Sequence, residues 1–144
     1  MPIQDLPPKH CFDLREADPG IVHLDVRSPE EFASAHPEGS LNVPILFRGA
    51  EGMSENPEFV AIAQAVCGEP GQRVILSCAM GGRSMRAAQA LEAAGYSNLI
   101  NMRGGFGGAR GPDGTLTEQG WSGLGLPTSS EPGERAWDSP RRRG

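Results

Sequence analysis

The chain has 144 residues, a formal net charge of −5, and 22% charged residues, with Lys9 its only lysine. That length suits one domain around a single core, and no apolar run reaches the span of a bilayer. The acidic balance argues against general nucleic-acid binding, and three widely spaced cysteines suggest neither a disulfide framework nor a zinc site.

Met1-Pro2-Ile3-Gln4-Asp5 shows no basic segment ahead of an apolar core, so the expected setting is the cytoplasm, with free thiols. Residues 1–9 read as a proline-rich lead-in. His10 to Ala17 predicts a short strand and the start of a helix. Ile21 to Val26 is the first clear strand, apolar enough to be covered on both faces. Ser28-Pro29-Glu30-Glu31-Phe32 is a helix start: Ser28 can cap, Pro29 fits the first helical position, and the glutamates suit the dipole. The helix ends near Ala35-His36. Pro37 to Ser40 is a turn, and Leu41 to Pro44 a second short strand.

Residues 45–55 are polar and glycine-bearing, which predicts a surface loop. Asn56-Pro57-Glu58 repeats the cap-plus-proline signal ahead of a helix over Phe59 to Cys67. Arg73 to Ser77 is a β-branched apolar run, a buried strand. Cys78-Ala79-Met80-Gly81-Gly82-Arg83 is a tight loop, and Ser84 to Ala94 an alanine-rich amphipathic helix that stops at Gly95. Leu99 to Met102 is a fourth strand. Gly104-Gly105-Phe106-Gly107-Gly108 has the look of a nucleotide loop, but no G-x-G-x-x-G runs through it and no helical pattern follows. Thr117 to Gly123 predicts a short helix carrying Trp121. Leu124 to Pro127 closes the domain, and residues 129–144, ending in Arg141-Arg142-Arg143, read as a disordered tail. The domain proper is therefore 10–128.

The alternation of strands and helices predicts an α/β fold: a mostly parallel central sheet of four to five strands with helices on both faces. Ligands in such sheets sit beyond the carboxyl ends of the strands. Asp25-Val26-Arg27, Cys78 and Arg103 all fall at or near such ends.

Cys78 is the candidate reactive residue. Gly81 and Gly82 permit a loop whose N–H groups turn inward, Ser84 can cap the following helix, and Arg83 adds a fixed positive charge. Together these should favour the thiolate and hold an anion beside the sulfur. An inert buried cysteine is the competing reading, and the glycine pair, the spaced arginine and the helix start argue against it.

Cys78-Ala-Met-Gly-Gly-Arg83-Ser84 resembles the active loop of the rhodanese (thiosulfate sulfurtransferase) family in its single-domain bacterial form. Leu24-Asp-Val-Arg-Ser-Pro-Glu-Glu-Phe32 is similar to that family's first signature, continued by Ala35-His36 and Gly39-Ser40-Leu41-Asn42-Val43-Pro44. Gly104-Gly105 with Trp121 and Gly125-Leu126-Pro127 is similar to its C-terminal ending. The resemblance covers about residues 10–128. Pro37-Glu38 departs from the pattern, and residues 106–118 are longer than usual.

The resemblance implies a rhodanese-like fold and a sulfurtransferase that moves sulfane sulfur from thiosulfate or a related donor to a thiol or cyanide acceptor. It implies a persulfide on Cys78, with Arg83 catalytic beside it, Ala79, Met80, Gly81, Gly82, Ser84 and Arg27 binding substrate, and neither cofactor nor metal. Four residues between Cys78 and Arg83, against five in the related phosphatases, favour sulfur over phosphate. Two other readings stay open: a persulfide carrier serving a protein partner in a sulfur relay, and a non-catalytic interaction module. No membrane or nucleic-acid partner is expected, and the chain is expected to be a monomer or homodimer. Asp25 and Arg27 are expected to form a structural pair, His36 to bond backbone rather than act as a base, and Cys67 to pack in the core. Arg103 is read as either an anion-steering or a surface residue.

Overall fold

In a computed structural model of the chain, residues 3–49, 52–80 and 82–131 are described. The elements in order are β1 (Gln4–Leu6), α1 (Pro8–Ala17), β2 (Val22–Asp25), α2 (Pro29–Ser34), β3 (His36–Pro37), β4 (Leu41–Asn42), β5 (Leu46–Gly49) and β6 (Gly52–Glu55). They continue with α3 (Phe59–Cys67), β7 (Val74–Ser77), α4 (Gly82–Ala93), β8 (Leu99–Met102), β9 (Ala109–Arg110), β10 (Leu116–Glu118) and β11 (Thr128–Ser129).

Five strands form the central sheet in the order β1-β8-β7-β2-β4, and every neighbouring pair is parallel. The α/β expectation of a parallel sheet is met. Parallel strands are covered on both sides, and successive side chains serve opposite faces. Leu24, Val74, Leu76 and Leu99 pack against Phe59, Ala63, Ala87 and Leu91 of α3 and α4. Ile75, Ile100 and Met102 pack with Cys11 of α1 and Trp121 on the other face. The second face also carries a buried polar pair, in which the His23 ring lies 2.8 Å from the Ser77 hydroxyl.

Because β8, β7 and β2 are adjacent and parallel, Arg103, Cys78 and Arg27 leave the same edge of the sheet. The capping signal in α2 is realised in full. Ser28 Oγ accepts from the Glu31 N–H, Glu31 Oε1 accepts from the Ser28 N–H, and Pro29 takes the first turn.

Elsewhere the structure corrects the sequence. Residues 4–6 of the lead-in are a sheet strand paired with β8, and no strand precedes α1 within His10–Ala17. Within the expected loop over 45–55, Leu46–Gly49 and Gly52–Glu55 are instead paired antiparallel strands. They lack the apolar alternation that marks a strand, so their pairing was invisible in the sequence. Asn56 does not cap a helix at Pro57. Its side chain accepts from Glu58 N–H and donates to the Pro44 carbonyl, and α3 begins one residue after Glu58. The expected helix over Thr117 to Gly123 is strand β10 followed by turns. Ser129, placed at the head of a disordered tail, pairs with His36 in β11·β3, while residues 132–144 lie outside the described residues.

Candidate active site

Cys78 follows the last residue of β7 and is 2% exposed. Its Sγ lies 3.3 Å from Ser84 Oγ. Ser84 is not the helix cap that the sequence suggested: α4 starts at Gly82, and Ser84 is fully buried inside its first turn. The Ser84 hydroxyl donates to Asn101 Oδ1 at 2.5 Å, and Asn101 Nδ2 donates to Asp5 Oδ1 at 2.9 Å. An amide oxygen only accepts, so the hydroxyl proton sits toward Asn101 and the oxygen lone pairs face the sulfur. A thiol at Cys78 donates to that oxygen.

A second loop holds the cysteine loop from beneath. The Phe106 N–H donates to the Cys78 carbonyl at 2.7 Å, and the Gly107 N–H to the Ala79 carbonyl at 2.9 Å. Gly105 has φ +59°, and a Cβ there would lie 2.5 Å from the Cys78 oxygen and 2.7 Å from the Ala79 carbonyl. Only glycine combines that torsion with so close an approach. The glycine run that looked like a nucleotide loop thus spends two of its N–H donors, those of Phe106 and Gly107, on the cysteine loop.

Arg83, five residues beyond Cys78, makes a two-pronged ion pair with Glu31 of α2: Nη1 to Oε1 at 2.7 Å and Nη2 to Oε2 at 3.0 Å. Burial by itself would raise the Glu31 pKa. The hydrogen bonds and charge of Arg83, joined by the Ser28 bonds, override it and hold the carboxyl at about 2. The Arg83 pKa is raised, first through its hydrogen bonds to Glu31, with smaller contributions from the charges of Cys78 and Asp25.

Arg27 is paired as well. Its Nε and Nη2 reach both Asp25 oxygens at 2.8 to 3.1 Å, Nη2 also donates to the Ala35 carbonyl, and the guanidinium lies 4.6 Å from the Phe106 ring centroid. The expected structural pairing of Asp25 with Arg27 is present. Arg27, Glu30, Glu31, Ser34, Ala35 and Phe106 line an open cleft of about 290 Å³.

Of the residues singled out in the sequence, Cys78, Ala79, Met80, Gly82, Arg83 and Ser84 lie on one loop and helix start, and Phe106 links Arg27 to them. Gly81 lies outside the described residues. Met80 is 58% exposed. Arg103 is not placed to steer an anion, since its Nε holds both Glu118 oxygens at 2.8 and 3.0 Å. His36 is buried, stacked on Phe32, with Nδ1 2.7 Å from the Phe32 carbonyl, as a backbone-bonded histidine should be. Cys11 and Cys67 sit in the two cores, and burial pushes each thiol up to about 12.

Three residues of the site escaped the sequence reading. Glu31 was seen only as a helix-start residue. Asn101 carried a signal, as a polar residue inside the apolar run Leu99–Met102. Asp5 carried none. Among the described residues no cluster of His, Cys, Asp or Glu could hold a metal ion, and no helix is long and apolar enough to cross a membrane.

A family model described as a rhodanese-like domain matches residues 10–110. Thiosulfate sulfurtransferase 16, chloroplastic, of Arabidopsis thaliana is 37% identical over 111 residues, covering 77% of this chain and 82% of that protein. Protein HIGH ARSENIC CONTENT 1, mitochondrial, of the same plant is 42% identical over 87 residues, covering 60% of this chain and 51% of that protein. The crystal structure of Rv0390 from M. tuberculosis superposes with a TM-score of 0.75 at 25% identity, covering 91% of this chain and all of that one.

Proposed function

The chain belongs to the rhodanese-like domain family, and from that premise we propose that it transfers sulfane sulfur to a thiophilic acceptor through a persulfide on Cys78. The observation that carries this is the placing of Cys78: at the end of β7, at the mouth of α4, with Sγ on the Ser84 hydroxyl. The thiolate form of Cys78 is the nucleophile in such a transfer.

With thiosulfate the Cys78 thiolate attacks the sulfane sulfur. A new S–S bond forms at Cys78, the old one breaks, and sulfite leaves with the bonding pair. An acceptor thiolate then attacks the outer sulfur of the Cys78 persulfide and leaves carrying it, returning the Cys78 thiolate. The Gly104–Gly108 loop and the hydrogen-bonded Ser84 keep the sulfur in place through both steps, so little reorganisation is needed. The free thiols suit a reducing compartment such as the cytoplasm.

Incubation with thiosulfate, followed by intact-mass measurement, should show the gain of one sulfur atom, and Cys78→Ser should show none. A wild-type protein that gains nothing from any sulfane donor would leave only the interaction-module reading.

A further inference from the structure

We propose that Glu31 sets the donor selectivity of Cys78: by occupying the Arg83 guanidinium it turns the site against dianionic donors and toward persulfides whose carrier bears a cationic group. This rests on the sulfur-transfer reading above and adds the class of donor.

A guanidinium five residues beyond the nucleophile would ordinarily be the anchor for an anionic substrate. Here both prongs of its fork are taken by Glu31, at 2.7 and 3.0 Å. The carboxylate cannot swing away cheaply. Its Oε1 also accepts from the Ser28 backbone N–H at 3.1 Å and the Ser28 hydroxyl at 2.9 Å, so releasing Arg83 also disturbs the capping box of α2. With its carboxyl held at about 2, Glu31 stays charged at any pH where the protein works.

Arg27, the cation that lines the cleft, is closed off by Asp25, the Ala35 carbonyl and the Phe106 ring. Glu30 lines the same cleft and is exposed. Beside the cysteine loop, Arg27 and Arg83 are therefore already matched by Asp25 and Glu31, with Glu30 in addition. A dianion such as thiosulfate meets net repulsion there. An amine-bearing persulfide meets attraction. In that case the Cys78 thiolate attacks the outer sulfur of R–S–SH, the donor's S–S bond breaks, and R–S⁻ leaves with the bonding pair while Cys78 keeps S–SH.

Three donors grade the charge: thiosulfate, the monoanion benzenethiosulfonate, and cysteamine persulfide, whose ammonium group has no carboxylate beside it. On wild-type protein, kcat/KM should rise in that order. Glu31→Gln keeps an N3 side chain able to serve the capping box and removes the charge. It should lower KM for thiosulfate about tenfold, lower that for benzenethiosulfonate less, and raise that for cysteamine persulfide, with kcat moving little. Glu31→Asp, which returns a carboxylate, should move the thiosulfate KM back toward the wild-type value. A wild type that prefers thiosulfate over cysteamine persulfide overturns the inference whether or not the variants fold. So does an equal change for all donors in Glu31→Gln. If Cys78 takes sulfur from donors yet the ratios do not move, only this inference falls; if it takes sulfur from none, the transfer reading falls with it.

Discussion

Two arginine–carboxylate pairs stand at the cleft, and they are built on opposite plans. Asp25 and Arg27 are two residues apart, with side chains 1% and 6% exposed, and the pair is joined to the backbone on both sides. Glu31 and Arg83 are 52 residues apart, and their side chains are 22% and 19% exposed. The first belongs to a single strand end and fixes the shape of that turn. The second ties α2 to the cysteine loop, so its state reaches the reacting sulfur. A buried pair formed within one segment holds the fold, whereas a half-covered pair formed between segments adjusts the chemistry.

Removing one partner from each pair tests that division, and the largest effect should come from the buried one. Asp25→Ala leaves the Arg27 charge without its counterion in the interior and should cost about 3–5 kcal/mol in a denaturant titration. A loss below about 1 kcal/mol would erase the distinction. Gly105→Ala comes next and strikes the cysteine loop from below. The left-handed torsion costs about 1–2 kcal/mol, and displacement of the Cys78 and Ala79 carbonyls adds to it. Persulfide formation should slow on the order of a hundredfold through misplacement of the sulfur, as read by the rate of mass gain.

Acid should act on the second pair. The Glu31 carboxyl is held at about 2 in the folded chain against an ordinary 4.5. A lowered carboxyl pKa gives stability that is complete above about 4.5 and is lost as pH falls toward 2. Melting temperatures from pH 6 to 2 should therefore fall less steeply in Glu31→Gln than in the wild type, and parallel curves would remove Glu31 from the acid response. Smallest of all should be Glu118→Ala. Its partner Arg103 is 46% exposed, so the loss should stay below about 1 kcal/mol.

What the sequence made legible was local. The Ser28-Pro29 cap, the buried strand before Cys78, the helix after it and the four-residue spacing to Arg83 are each written within a few consecutive residues, and each is in the structure. The parallel sheet followed from alternation, and strand adjacency brought Arg27, Cys78 and Arg103 to one edge. The antiparallel pair β5·β6 and the three-residue strand β1 were missed because they carry no periodicity long enough to read. The partners of the site were missed for another reason. Arg83 and Glu31, Ser84 and Asn101, and Asn101 and Asp5 meet across the sheet, and no spacing rule reports such pairings. The glycine run at 104–108 was visible but its purpose was not, because a glycine shows that two backbones approach closely without saying which two.

Strand β1 precedes every other described element, yet Gln4 and Asp5 find their sheet partners only at Ile100 and Asn101. At elongation rates of about 5–20 residues per second, a nascent chain carries Asp5 unpaired for several seconds before β8 exists. The hydrogen-bonded line from Cys78 through Ser84 and Asn101 ends on that same Asp5. The earliest residue of the network is thus the last to be seated. Cys78 acquires its full set of supports only when the sheet closes, which ties readiness of the sulfur to completion of the fold.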